Sequence, residues 1–353
     1  MRRSKLTINI KKYKHNIINI RNQLQPTTSI MMIIKANGYG FGADVIATAA
    51  EEENIDYFAV ACLNEAIKLR ESGIKTPILI LSQPAINESE DIIKYNLTQT
   101  ITSLEYGKRL AKAAIKHNKQ IPIHVKVDTG MNRIGIRYEE AEVLIKDLSK
   151  LNGVLIEGIY SHLTSSEEEN NPFNKNQIEL FTKLIKKIDI KPRYIHIANS
   201  EAISNFPESH LSMIRIGLKG YQNILQLESH IIEIKQVKKG ESISYNQTYK
   251  TNYDTEIAIV PVGYGDGIPG ELSNCGFVKI NKKYKPIRGK VCMDYIIVEL
   301  GKDHTEKVGD KVTIIDSNEM DRINLTAISQ LINKNERELC LILGNSHKKE
   351  YIK

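Results

Sequence analysis

Eight short apolar runs, each followed by a segment with a helical face, fill the first two-thirds of the chain and leave it few ways to fold. The runs are 30–34, 57–61, 78–81, 98–101, 123–127, 155–160, 194–198 and 212–216. Between them, apolar residues recur at i, i+3, i+4 and i+7, the stripe of a helix packed on a sheet. Ala43, Ile46, Ala47 and Ala50 form one such stripe, Ala141, Leu144, Ile145 and Leu148 another, and Phe181, Leu184, Ile185 and Ile188 a third. Eight strand–helix units in series predict a closed (β/α)8 TIM-type barrel rather than an open doubly wound sheet. A leading helix is expected over 13–24.

From about residue 227 the texture changes to short strand-like stretches: 229–237, 256–262, 277–280, 291–300 and 311–315. Turn signals punctuate them at Lys239-Gly240, Gly265-Asp266-Gly267, Pro269-Gly270, Asn281-Lys282 and Gly309-Asp310, and one helix is expected over 326–332. Two domains are the default for 353 residues, since one hydrophobic core rarely grows so large. The division expected is a barrel over 1–227 and a smaller, mainly β domain over 228–353. The opening strand within residues 1–10 can join the second domain and make it discontinuous.

Composition narrows the function. The formal charge of +7 is spread over separate lysines, with neither a basic helix nor interleaved aromatics, so no nucleic-acid partner is expected. No apolar run has the length of a membrane span. Lys11 and Lys12 cut short the apolar stretch that a secretory signal would need. Cys62, Cys275, Cys292 and Cys340 lie far apart, which reads as reduced thiols in a cytoplasmic protein, with no metal site expected.

The chemistry concentrates at the ends of the predicted strands, where barrels of this kind carry their catalytic groups. In the segment 29–42, SIMMIIKANGYGFG, Lys35 stands where the first strand stops, followed by Gly38, Gly40 and Gly42. A desolvated amine there has a lowered pKa and a lone pair free to attack a carbonyl, the property of a Schiff-base lysine. The glycines allow a sharp turn and close approach to a ligand. A lysine that only snorkels from a strand end leaves the same pattern. Lys126, Asp128 and Arg133 follow the fifth strand in KVDTGMNRIG, His162 ends the sixth, Asn199 and Ser200 end the seventh, and Arg215 ends the eighth in MIRIGLKGY. Ser200 with the amides of Gly217 and Leu218 suits a phosphate, in loops where barrels commonly bind one. Taken singly, His162 reads first as a hydrogen-bonded core histidine, and Lys126 and Asp128 can simply pair with each other.

The segment K-A-N-G-Y-G-F-G resembles the cofactor-lysine motif of the alanine racemase family, K-A-N-A-Y-G-H-G, with Gly38 and Phe41 as its two departures. The later segments resemble the same family, in order, across almost the whole chain. The resemblance implies pyridoxal 5'-phosphate bound covalently at Lys35. It implies that Tyr39, Ser200, Gly217 and Leu218 hold the phosphate, with Asn199 beside them, and that Arg215 meets the pyridine nitrogen. A guanidinium cannot take up a proton, so the ring nitrogen stays unprotonated and the substrate carbanion is stabilised less, which suits a racemase. Arg133 would lie near the substrate carboxylate. Lys126 matches a position that can be carbamylated and steer that arginine. His162 matches the histidine that contacts a catalytic tyrosine.

Racemisation needs a base on each face of a planar carbanion, since one base returns the proton where it came from. ESISYNQTY resembles the family's S-Y-G-x-T-Y and makes Tyr245 the second base. Tyr264 in VPVGYGDG and Met293 with Asp294 in GKVCMD resemble segments at the substrate entrance, the latter entering the partner's site in a homodimer. The C-terminus departs from the family: Asn335-Glu336-Arg337-Glu338-Leu339-Cys340 stands for N-Y-E-x-x-C, and the closing R-V-P-R is absent. A carboxylate is unfavourable beside phosphate, so Glu336 is expected to point away unless the register differs. The lost tyrosine would leave room for a larger substrate such as serine. The function expected is interconversion of L- and D-alanine, D-alanine feeding cell-wall synthesis. The alternatives are a serine or broad-spectrum racemase on the same scaffold, and a non-catalytic pyridoxal-phosphate carrier, against which the β domain with Tyr245 argues.

Overall fold

The computed structural model describes residues 3–83, 85 and 88–353. Two compact units emerge. One comprises Lys14–Gly38 and Ala43–Gly220, and the other gathers the chain up to Tyr13, Tyr39–Gly42 and Tyr221–Lys353.

In the first unit all eight expected strands form: Ser29–Ile33, Tyr57–Val60, Ile78–Ile80, Thr98–Ile101, Ile121–Asp128, Val154–Tyr160, Tyr194–His196 and Met213–Ile216. They pair in parallel, and the eighth returns to pair with the first through Met213↔Ser29 to Ile216↔Met32. Between the seventh and eighth there is no full ladder. Single bonds from Ser212 N–H to Ile195 O and from Arg215 N–H to Ala198 O bridge that seam. The architecture is thus a nearly closed (β/α)8 barrel. Its strands are buried on both sides, which is why they read as apolar runs without alternation. The expected helical stripes are the inward faces of Ala43–Glu51, Tyr138–Leu148 and Pro172–Lys187. The leading helix is Ile10–Arg21, three residues earlier than its periodicity suggested.

The second unit is mainly β. A six-stranded sheet runs in the order Lys283–Pro286, Phe277–Ile280, Lys311–Ile315, Leu225–His230, Lys5–Asn9 and Lys349–Ile352. A three-stranded sheet joins Glu233–Val237, Thr255–Val260 and Ile296–Gly301, and Ser242–Ile243 pairs with Tyr249–Lys250. Two expectations need correction. The run 229–237 is not one strand: the chain leaves the six-stranded sheet at His230 and enters the three-stranded sheet at Glu233. No glycine or proline marks that break, because Ile231 and Ile232 cross it on bonds to Asp310 O and Ile259 O. The strand expected over 291–300 begins only at Ile296, leaving 291–295 as a loop. A second helix, Glu336–Ser346, follows Leu325–Leu331 and was not foreseen.

Candidate active site

Beyond the first strand, residues Lys35–Tyr39 turn in the left-handed sense. Ala36, Asn37, Gly38 and Tyr39 all have positive φ, between 53° and 62°. Three of the four carry side chains, at a cost of about 1–2 kcal/mol each. Specific bonds hold the strain: the Glu65 carboxylate accepts from Ala36 N–H at 2.7 Å and from Ala61 N–H at 2.8 Å. Asn37 Oδ1 accepts from Ala43 N–H at 2.9 Å. Backbone strain of this kind clusters at functional sites, and here it fixes the start of the loop that carries half-buried Lys35.

Gly40 has a packing reason to lack a side chain. A Cβ on Gly40 would lie 2.9 Å from Cys340 O, on the helix Glu336–Ser346. Phe41, where the resembled motif has histidine, is fully buried and stacks on Tyr221 at 5.5 Å. Tyr39 packs on the same ring at 5.0 Å, and burial pushes its hydroxyl up to about 12.

The fifth strand carries Lys126 and Asp128 inside the barrel. They do not pair, contrary to the simpler reading. Asp128 Oδ1 accepts from Gly130 N–H at 2.9 Å and Asn132 N–H at 3.1 Å, shaping the loop that presents exposed Arg133. Lys126 is 6 % exposed and makes no hydrogen bond or ion pair among the described residues; its ammonium faces the Tyr160 ring at 5.5 Å. Burial, then the charges of Arg133 and Arg215, lowers its amine to about 8.

Arg215, on the eighth strand, is 4 % exposed and meets only neutral acceptors. Nη1 donates to His196 Nδ1 at 3.0 Å, and Nη2 donates to His162 Nδ1 at 2.9 Å, Ser161 O at 2.9 Å and Ile197 O at 3.0 Å. Burial lowers its guanidinium to about 10, so it stays charged at neutral pH. Burial and Arg215 hold His162 well below its ordinary value, leaving its Nε2–H as a neutral donor. Ser200 is buried, and its Oγ accepts from Gly217 N–H at 2.7 Å, so that amide is engaged within the protein and the serine's own proton remains to donate. Asn199 Oδ1 accepts from Ser166 Oγ at 2.7 Å and Ala202 N–H at 3.1 Å, a bracing role for the loop. The charges of Lys35, Arg133 and Arg215 act on both Lys126 and His162, and Asp128 opposes them at Lys126.

On the second unit, hydrogen bonds tie together the segments that carry three sequence-selected side chains. Tyr264 N–H and Gly265 N–H donate to Cys292 O and Met293 O at 3.0 and 2.9 Å. Ser244 Oγ, preceding Tyr245, donates to Lys290 O at 2.7 Å. Tyr245, Tyr264 and Met293 are consequently 67 %, 52 % and 55 % exposed, large apolar surfaces turned to solvent. Asp294 accepts from Arg3 Nη1 at 2.9 Å. The Glu336 carboxylate accepts from Thr326 Oγ1 at 2.9 Å. Among the described residues no helix is long and apolar enough to cross a membrane, and no group of three or more His, Cys, Asp or Glu is placed to hold a metal.

Sequence reasoning missed Glu65, His124 and His196. His124 had a signal: two residues before Lys126 on a strand, it must share that lysine's face.

The fold and this cluster define a (β/α)8-barrel enzyme, with its polar groups gathered at the C-terminal ends of the strands. Models of the alanine racemase N-terminal and C-terminal domains match residues 8–222 and 224–351. The chain is 35 % identical over 336 residues to alanine racemase 1 of Caldanaerobacter subterraneus subsp. tengcongensis, covering 90 % of this chain and 87 % of that one. Among solved structures, alanine racemase of Clostridium difficile 630 superposes with a TM-score of 0.91 at 32 % identity, covering 99 % of this chain and 95 % of that one. Alanine racemase of Bartonella henselae with covalently bound pyridoxal phosphate superposes with a TM-score of 0.89 at 25 % identity, over 99 % of both chains. The chain belongs to the alanine racemase family, whose members are isomerases.

Proposed function

We propose that this protein is a pyridoxal-phosphate-dependent racemase that interconverts L- and D-alanine, the D-alanine serving cell-wall synthesis in the cytoplasm. The observation that carries the reading is the buried cation cluster: Arg215 and Lys126 lie in the barrel without a bonded carboxylate. A buried charge left without a counter-ion is costly, and an anionic, phosphorylated ligand relieves that cost. The donor set fits the cofactor. Ser200, Leu218 and Tyr39 would hold its phosphate, with Gly217 N–H steadying the serine rather than reaching the ligand; Lys35 would hold the cofactor covalently, and Arg215 would donate to its ring nitrogen. When bound, pyridoxal phosphate supplies an electron sink that stabilises negative charge at the substrate's α-carbon.

The protein's own groups do the rest. Lys35 Nζ and Tyr245 Oη take and return the α-proton on opposite faces, the arrangement that inversion requires. His162, neutral, offers Nε2–H toward the tyrosine. Arg133 binds the substrate carboxylate, with Lys126 behind it as amine or carbamate. Tyr264 and Met293 frame the entrance, and Asp294, tied to Arg3, steadies it. The exposed Tyr245, Tyr264 and Met293 supply the apolar surface of a homodimer in which each β domain, 228–353 with the opening strand, covers its partner's barrel mouth.

Glu336, drawn toward Thr326 where the family has a tyrosine, favours a second reading in which serine is also accepted. Racemisation of L-alanine and L-serine by the purified, cofactor-loaded protein tests both. Alanine turnover at least tenfold above serine supports the proposal; comparable turnover supports the broader enzyme, and inactivity on both rejects the reaction.

A further inference from the structure

Inside the barrel, a chain of polar groups runs back from Arg215 toward the sixth strand. His196 Nδ1 accepts from Arg215 at 3.0 Å, and His196 Nε2 meets His124 Nδ1 at 3.0 Å. His124 Nε2, fully buried and with no hydrogen-bond partner, lies 3.9 Å from Glu157 Oε2. That carboxylate accepts from Tyr57 Oη at 2.8 Å.

The site for the His124 ring is built, not incidental. His124 pairs with Gly158 across the fifth and sixth strands, immediately after a bulge between Ile123 and His124. A Cβ on Gly158 would lie 2.6 Å from the imidazole, so the glycine makes room for that ring. Bulges of this kind re-aim a side chain.

The direction of the chain follows from the donor inventory. A guanidinium only donates, so His196 Nδ1 must accept and its proton sits on Nε2. That N–H donates to His124 Nδ1, which places the second proton on His124 Nε2, facing the Glu157 carboxylate. Burial, with Arg215, lowers His124 to about 3 and His196 well below its ordinary value, so both are neutral at physiological pH. The other ionisable groups facing the pair are Tyr57, Tyr160 and Tyr194; Tyr160 stacks on His196 at 4.7 Å.

We propose that His124 is a positioning residue for Arg215: it holds the proton of His196 on Nε2, with Glu157 fixing the polarity of the pair from the far end. Without an acceptor at His124 the buried His196 N–H is orphaned, a cost that His196 relieves by moving its proton to Nδ1. There the N–H opposes the guanidinium and loosens the arginine. The catalytic consequence rests on the reading of Arg215 as the ring-nitrogen partner; the tautomer does not.

Nitrogen-15 NMR of histidine-labelled holoenzyme tests it directly. In the wild type, the assigned imidazoles of His124 and His196 should be neutral with their protons on Nε2, as should His162, whose Nδ1 also accepts from Arg215. In His124→Leu the His196 proton should leave Nε2, wholly or in part, and kcat for alanine should fall about tenfold or more with KM little changed. His124→Asn, whose Oδ1 can still accept, should keep the His196 tautomer and most of kcat. An unchanged tautomer in the leucine variant overturns the proposal, as does a changed tautomer with unchanged kcat. If the leucine variant does not fold, the asparagine variant decides: loss of the Nε2 proton there refutes the role. Should the wild type bind no cofactor, the reading of the site fails while the tautomer result still stands on its own.

Discussion

Replacing Lys126 by methionine should make the protein more stable and less active. The amine is buried without a bonded partner, and its surroundings lower it from 10.5 to about 8, chiefly through burial and then through Arg133 and Arg215. Each unit of such lowering costs the folded state about 1.4 kcal/mol while the group is charged, so the whole comes to about 3 kcal/mol. The sign follows from proton counting. Below about pH 8 both folded and unfolded chains bind the proton, and the cost is carried in full. Between about pH 8 and pH 10.5 the unfolded chain binds more protons, so stability rises with pH and the cost disappears. Methionine has similar volume and no charge to desolvate. Lys126→Met should therefore gain about 3 kcal/mol near pH 7 and nothing above about pH 10.5. Chemical denaturation of both proteins in bicarbonate-free buffer across that range measures the gap. A variant that is less stable at every pH, or a gap that fails to close on the alkaline side, would refute the reasoning. On the proposed role of Lys126 behind Arg133, turnover should drop in the same variant.

Gly158→Ala places a methyl 2.6 Å from the His124 ring, and overpacking of this order costs about 1–3 kcal/mol. A lower thermal midpoint together with reduced kcat is expected, and neither effect appearing would show that the glycine is not reserved for His124. Glu336→Tyr should lower serine turnover relative to alanine; an unchanged ratio removes this position from substrate choice. On the proposed homodimer, mixing Lys35→Ala with Tyr245→Ala under conditions of subunit exchange should restore about a quarter of wild-type activity, since half the dimers would be mixed and each would hold one intact site. No recovery despite demonstrated exchange would mean that both bases belong to one chain.

Much of the barrel was legible because its strands are buried on both sides and its helices on one, two patterns that differ plainly in period. Lys35, Lys126, His162, Ser200 and Arg215 stood out because each ends a strand. What stayed hidden depends on contacts distant in sequence. The left-handed turn at Ala36, Asn37 and Tyr39 is held by Glu65, 29 residues from the amide of Ala36. The split of 229–237 follows from pairing with Asp310 and Ile259 rather than from any local turn residue. The helix Glu336–Ser346 hides in a polar, capped segment whose apolar face, Leu339, Cys340 and Leu343, is short. His124 and His196 were passed over in the sequence, and the bulge, Gly158 and the bonds to Arg215 reveal their alignment.

The central claim is that Lys35 carries pyridoxal phosphate in a two-base racemase. Borohydride reduction of the holoenzyme, followed by peptide mapping by mass spectrometry, tests it most directly. The reduced pyridoxyl group should appear on Lys35 alone, and Lys35→Ala should lose both the visible absorbance of the bound cofactor and nearly all turnover. A pyridoxyl label on a different lysine, or a reducible adduct that survives in Lys35→Ala, would contradict the account.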